Sequence, residues 1–266
     1  MSRLGSCLRT LAGEGRTALT TFITAGDPCL EATVPALHRM VASGADILEL
    51  GVPFSDPEAE GPAIQASSER GLANGTRLAT CLEMVAAFRE QDDRTPVILM
   101  GYLNSVLAMG EETFARAAAE AGVDGLIMVN LPPEEAGRLK TALGTNQIDL
   151  IFLVAPTTTD ERLEKIIREA SGFIYYVSLK GITGANHLNV TAVADRVAWI
   201  KARTDLPVQV GFGIKDPESA RAIGAHADGV VIGSALVTTM GAVADPEARL
   251  TRLGEQVSAL RGALDG

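Results

Sequence analysis

The chain has 266 residues, 47% of them apolar, enough to bury a core without help from metals or disulfides. Acidic residues number 33 against 23 basic ones, and the resulting net charge of -10 argues against nucleic acid or an anionic membrane as partner, since both are held by clustered cations. Three cysteines, Cys7, Cys29 and Cys81, lack C-x-x-C spacing and read as reduced thiols of a cytoplasmic protein; no run approaches the roughly 20 apolar residues of a membrane span.

The first ten residues are broken by arginines and do not read as a signal peptide. Within them Leu4 to Leu11 forms a helical pattern suited to plug one end of a barrel. From there short apolar runs alternate with amphipathic stretches, the signature of parallel βαβ units. In chain order the expected strands are Ala18 to Thr24, Asp46 to Gly51, Pro96 to Met100, Gly125 to Val129, Asp149 to Val154, Phe173 to Val177, Pro207 to Gly211 and Gly229 to Ile232. Between them Cys29 to Ser43, Arg77 to Glu90, Glu111 to Ala121, Pro133 to Leu143, Glu161 to Ala170, Val190 to Ala202 and Pro217 to Ala225 space their apolar residues as helices do. Asp245 to Leu264 closes the chain as a long helix. Eight such units predict a single (β/α)8 TIM barrel domain over residues 1–266, with an extra N-terminal helix.

Two connections are longer than the fold needs. Val52 to Gly61 carries two prolines and three acids, and Ser178 to Asn189 is polar and glycine-containing, as a mobile lid is usually written. Both follow strand ends, where barrel enzymes keep their chemistry.

Glu49 is the strongest chemical signal, a carboxylate inside the apolar strand Ile-Leu-Glu-Leu-Gly. Burial there raises its pKa toward the range useful for proton transfer. Asp56, Glu58 and Glu60 on the following loop are candidate partners, and composition does not choose among them. Glycines at three strand ends, Gly181 to Gly184, Gly211 to Gly213 and Gly233 with Ser234 opening a helix, suggest backbone amides wrapping a phosphate. Tyr102, Tyr175 and Phe212, alongside Met100, Ile127, Val129 and Leu153, line a flat apolar slot. His38, His187 and His226 are scattered and suggest neither a metal site nor a Ser-His pair.

The run from Leu48 to Gln65, Leu-Glu-Leu-Gly-Val-Pro-Phe-Ser-Asp-Pro-Glu-Ala-Glu-Gly-Pro-Ala-Ile-Gln, resembles the signature segment of the tryptophan synthase alpha subunit family. Phe22 to Pro28, Met100 with Tyr102 and Asn104, Gly181 to Ala185, Gly211 to Ile214 and Gly233 to Ala235 follow in family order, so the resemblance spans about residues 4–262. It implies a lyase that splits indole-3-glycerol phosphate into indole and glyceraldehyde 3-phosphate by a retro-aldol step. No cofactor of its own is implied, and the expected partner is a tryptophan synthase beta subunit in an alpha2beta2 assembly. The resemblance further implies that Glu49 and Glu60 are the catalytic carboxylates and that Phe22, Tyr175 and Phe212 belong to the indole pocket. Gly184, Gly213, Gly233 and Ser234 fall on the phosphate cradle, Thr183 on the lid, and Asp56 with Glu58 on the partner-facing loop. Three positions depart from the family pattern: Glu60 stands for an aspartate, Glu58 for an apolar residue and Asn130 for an acid. These departures leave a second reading beside the lyase, a weakly catalytic barrel that binds the ligand and acts as allosteric partner of a beta subunit.

Overall fold

The structure is a computed structural model that describes residues 2–178, 189–211 and 213–266. Its elements are, in order, α1 (Arg3–Gly13), β1 (Ala18–Thr24), α2 (Thr33–Ala42), β2 (Ile47–Gly51), α3 (Pro62–Ala73), α4 (Leu78–Arg89), β3 (Val97–Gly101), α5 (Leu103–Met109), α6 (Glu111–Ala121) and β4 (Gly125–Met128). They continue as α7 (Gly137–Thr145), β5 (Asp149–Val154), α8 (Asp160–Glu169), β6 (Ile174–Val177), α9 (Val190–Lys201), β7 (Val208–Gly211), α10 (Pro217–Gly224), β8 (Gly229–Ile232), α11 (Ser234–Ala242) and α12 (Pro246–Asp265). The strands pair in parallel, each with the next, and β8 pairs back onto β1, so the sheet closes. This is the (β/α)8 barrel the alternation predicts.

All eight strands lie within a residue or so of their expected bounds. Two expected helices begin differently: Cys29 to Ser43 opens as a 3-10 turn over Leu30–Ala32, and Pro133 to Leu143 splits into a 3-10 turn over Pro133–Glu135 and then α7. Helices α3 and α5 are additions that the apolar spacing does not announce.

Closure divides the apolar residues into two populations. Residues facing outward from the strands pack beneath the helices, as Leu48, Leu50, Leu99, Val208 and Val210 do. Residues facing inward form a second, smaller cluster that includes Ala18, Phe22, Ile47, Ile98, Ile151 and Phe173. Leu4, Leu8 and Leu11 of α1 belong to this inner cluster, so the N-terminal helix does plug the barrel.

A repeated polar device fastens the N-terminal rim. The Asp46 carboxylate just before β2 accepts the Leu19 N–H of β1 at 2.8 Å, Asp124 before β4 accepts Val97 N–H at 2.9 Å, and Asp228 before β8 accepts Val208 N–H at 2.8 Å. Ser171 serves the β5 amide of Leu150 in the same manner at 2.9 Å. Each pair ties an odd strand to the entrance of the next, satisfying an amide that the slanted parallel ladder leaves over. Asp124 also takes charged bonds from Arg89 at 2.7 Å and from Arg3 at 2.9 Å, joining α4 and the plug helix to the same carboxylate.

Asp124 is 3% exposed and Arg89 10%, so Asp124→Ala leaves a largely buried guanidinium with backbone carbonyls but no counter-charge, and the Val97 amide without its acceptor. The expected loss is about 3–5 kcal/mol, the range for breaking a buried pair from one side. Urea unfolding followed by circular dichroism measures it; a loss below about 1 kcal/mol, the range of an exposed pair, removes this network from the supports of the fold.

Candidate functional site

Along β2 alternate residues point into the barrel, which places Ile47, Glu49 and Gly51 inside and Leu48 and Leu50 under the helices. Glu49 is 1% exposed, and its Oε2 has no hydrogen-bond partner among the described residues. Burial, followed by the negative charge of Glu60, pushes its pKa up to about 8. Beside it in register stands Phe22 of β1. The Phe22 ring crosses Gly51 so closely that a Cβ there would sit 2.5 Å from it, and it also covers Gly233 at the end of β8. Tyr175 of β6 is buried in the same interior, its phenol raised well above the usual range by burial and by the charges of Glu49 and Glu60.

Of the three acids on the loop after β2, only Glu60 turns inward. Its side chain is buried, and burial pushes its pKa up to about 7. Asp56 and Glu58 are exposed, with Asp56 accepting from the Ser55 hydroxyl at 2.6 Å. The loop is fixed at both sides of Glu60. Ala59 N–H donates to the Tyr102 hydroxyl at 3.1 Å, Glu60 N–H to the Pro57 carbonyl at 3.0 Å, and the Gln65 amide to the Glu60 carbonyl at 2.8 Å. Phe54 stacks on Tyr102 with ring centroids 4.7 Å apart. Glu60, Phe22, Phe54, Met100 and Tyr102 thus wall a narrow, nearly filled cavity with about 10 Å³ of room, enough for about one water.

The remaining slot residues converge on the same interior. Met100, Ile127 and Tyr175 belong to the inner cluster, with Val129 and Leu153 half-buried against it. On the other side of Phe22, Gly233 precedes α11 as its N-cap, Ser234 is the exposed first residue of that helix, and Gly213 sits beyond the end of β7 at φ +78°. Strands β7, β8 and β1 are consecutive in the barrel, so these glycines and Phe22 share one sector of the C-terminal rim. The Gly211 carbonyl accepts from the Ser178 N–H and hydroxyl at 3.1 and 3.0 Å, joining the ends of β6 and β7. Thr183, Gly184 and Phe212, with the expected lid around them, lie outside the described residues. Asn130 accepts from the Leu103 N–H at 2.8 Å and donates to Asn104 at 3.2 Å, a fastening of α5 that needs an oxygen but no charge.

Sequence reasoning passed over Phe54, Gln65 and the whole of α3. Pro62 at the first turn after Gly61 is a start signal for that helix. Its buried face, however, holds Ser67, Ser68 and Gly71, so apolar periodicity is silent there.

Comparison with known proteins agrees with this geometry. The family model described as tryptophan synthase alpha chain matches residues 8–264. The tryptophan synthase alpha chain of Alkalilimnicola ehrlichii is 54% identical over all of this chain and 97% of its own length. Among solved structures, tryptophan synthase subunit alpha from Legionella pneumophila superposes with a TM-score of 0.91 at 43% identity, covering 100% of this chain and 99% of that one. A chain of Mycobacterium tuberculosis tryptophan synthase in its aminoacrylate-bound form gives 0.88 at 36% identity, over 99% of this chain and all of that one.

The two raised carboxyls set a pH dependence of stability. Their folded pKa values, about 8 for Glu49 and about 7 for Glu60, exceed the ordinary 4.5, so between those limits the folded chain holds protons that the unfolded chain has released. Stability is therefore greatest near the lower limit and falls as pH rises through the folded values. Glu49→Gln is expected to flatten that decline, which calorimetric melting across about pH 5 to 9 reads directly. Parallel profiles for parent and variant would show that Glu49 is not held as a buried acid.

Proposed function

Because the chain belongs to the tryptophan synthase alpha chain family, we propose that Glu49 and Glu60 together carry out the family's cleavage reaction in it. The chain is the lyase of tryptophan biosynthesis that cleaves indole-3-glycerol phosphate to indole and glyceraldehyde 3-phosphate. The observation that carries the assignment of roles is the pair of buried carboxyls with raised pKa values at one end of the barrel. With a pKa of about 8, Glu49 holds a proton at neutral pH and can give it to indole C3. As a carboxylate it then takes the proton of the hydroxyl on the adjoining glycerol carbon. The C3–C1′ bond breaks, its electron pair returns to the ring, and the hydroxyl-bearing carbon leaves as the aldehyde. Glu60 accepts a hydrogen bond from the indole N–H as positive charge builds on that nitrogen. Two neighbouring buried carboxyls resist double ionisation, which favours one protonated and one charged group.

Phe22, Met100, Tyr102, Ile127, Val129, Leu153, Tyr175 and Phe212 are the proposed walls for the indole. Gly184, Gly213, Gly233 and Ser234 are the proposed phosphate cradle, and Thr183 the lid residue. Alpha chains of this family pair with a beta subunit, and the exposed Asp56 and Glu58 support a loop that faces such a partner in an alpha2beta2 assembly. No helix among the described residues is long and apolar enough to cross a membrane, which fits a cytoplasmic enzyme. The helices at both ends of the chain pack on the barrel, in keeping with a single domain over residues 1–266.

Glu49→Gln keeps the shape of the side chain and removes its proton chemistry. Indole release should fall about 10² to 10⁴-fold, the usual weight of a positioned acid or base, while the folded circular dichroism spectrum persists. Retained turnover excludes Glu49. Glu60→Asp and Glu60→Gln measured beside it test the second carboxylate: Glu60→Gln should lose turnover, and Glu60→Asp should match or exceed the parent, since the family reaction is built around the shorter acid. A parent that binds glycerol 3-phosphate but releases no indole is the weakly catalytic barrel instead. For the cradle, Gly213 at φ +78° tolerates no β-branched residue without strain. Gly213→Val should weaken glycerol 3-phosphate binding, read by calorimetry, by at least tenfold, about 1.4 kcal/mol; unchanged affinity moves the phosphate elsewhere.

A further inference from the structure

Helix α3 follows the acid loop directly, so wherever α3 docks decides where Glu60 is delivered. One polar face of the helix docks it. Ser67, Arg70, Gly71 and Asn74 fall at the i, i+3, i+4 and i+7 spacing of a single stripe, and all four meet the segment at the end of β1. The Ser67 and Thr24 hydroxyls share a hydrogen bond at 2.6 Å. Arg70 holds the Asp27 carboxylate with two bonds, Nε to Oδ1 at 2.6 Å and Nη2 to Oδ2 at 3.0 Å. Asn74 donates to the Gly26 carbonyl at 2.9 Å and to the Pro28 carbonyl at 2.7 Å. Gly71 lies so near the Ala25 carbonyl that a Cβ would stand 2.7 Å from it, and Pro53 of the acid loop packs on the same spot.

Arg70 reaches one element more. Its Nη2 lies against Gly241, where a Cβ would come within 2.6 Å of it. Gly241 is in the last turn of α11, the helix that starts at Ser234 beside Gly233. A guanidinium is favourably placed at such a C-terminal turn. Asp27 is 1% exposed and Arg70 40%, so the carboxylate has given up its water for this partner. One ion pair therefore touches three pieces of the C-terminal rim: the end of β1, the helix that fixes the acid loop, and the helix of the phosphate side.

We propose that Asp27 and Arg70 are positioning residues for the cleavage reaction, holding the Glu60 loop in register with the phosphate-side helix α11. The inference rests on the assignment of Glu60 above. The fork of the guanidinium sets the angle of α3 as well as its distance, because two parallel bonds fix a plane where a single cation fixes only a point. A small rotation of α3 then moves Glu60 across the cavity, and misplacement by about 1 Å costs on the order of a hundredfold in rate.

The experiment compares Arg70→Lys, and Asp27→Asn combined with Arg70→Met, each in the parent and in a Glu60→Gln background. Lysine keeps the charge and loses the fork; the double replacement removes both charges, so neither is left buried alone and the chain stays folded. In the parent background kcat for indole release should fall about 10- to 100-fold with KM changed less than about threefold, at temperatures well below the calorimetric Tm of each variant. In the Glu60→Gln background the same changes should cost less than about twofold, since the group they position is gone. Equal losses in both backgrounds, or full kcat in either variant, overturn the proposal while leaving Glu60 in its role. A Glu60→Gln chain as fast as the parent removes that role, and this inference falls with it.

Discussion

Closure of the parallel sheet is the constraint on which the rest of this molecule depends. Once β8 pairs with β1, every second strand residue is committed to an interior that water does not fill. Ala18, Phe22, Ile47, Ile98, Ile127 and Ile151 at such positions are apolar and pack. Glu49 is committed in the same way and has nothing apolar to offer, so closure turns an ordinary glutamate into a proton-holding acid near neutrality. The same geometry brings Phe22 across Gly51, where any side chain would collide with its ring. Raised pKa and aromatic wall are thus two results of one topological fact.

The two rims of the barrel spend polar groups differently. At the N-terminal rim Asp46, Asp124 and Asp228 each accept a strand amide, and arginines from distant segments converge on the first two. These carboxylates are fully partnered and serve rigidity. At the C-terminal rim Glu49 and Glu60 each leave an oxygen without a partner among the described residues. A group with unused hydrogen-bonding capacity and a raised pKa costs stability, and it is suited to meet a reacting molecule. The division between a stabilising face and a reactive face is written in which carboxylates are satisfied.

Between the rims, the acid loop is short of internal structure and takes its shape from neighbours. Tyr102 holds the Ala59 amide, Gln65 holds the Glu60 carbonyl, and the polar stripe of α3 anchors the far end. Tyr102 therefore does more than line a slot: its hydroxyl sets the residue next to Glu60. The extra methylene of Glu60 relative to the family's aspartate is accommodated within this frame with the carboxyl buried. Asn130 keeps the oxygen that receives the Leu103 amide, so loss of its charge leaves the fastening of α5 in place.

The eight strands, the plug helix and the family are legible in the amino-acid order alone, whereas the inward direction of Glu49 is not. The first three rest on local periodicity or on contiguous motif residues such as Leu48 to Gln65; a period of two along β2 puts Glu49 on one face with Ile47 and Gly51, but both faces are apolar and only closure makes that face the inner one. The residue pattern of the chain did not decide among Asp56, Glu58 and Glu60, and only the family resemblance pointed to Glu60, because three acids on one irregular loop are equivalent until Tyr102, just beyond β3, and Gln65 of α3 hold that loop in one shape. Nor did it reveal α3, whose docking face is polar, or the Asp27 to Arg70 pair, whose members stand 43 residues apart. Hydrophobic patterns report what a segment buries; which polar groups meet across the rim is settled only when closure brings remote strand ends together.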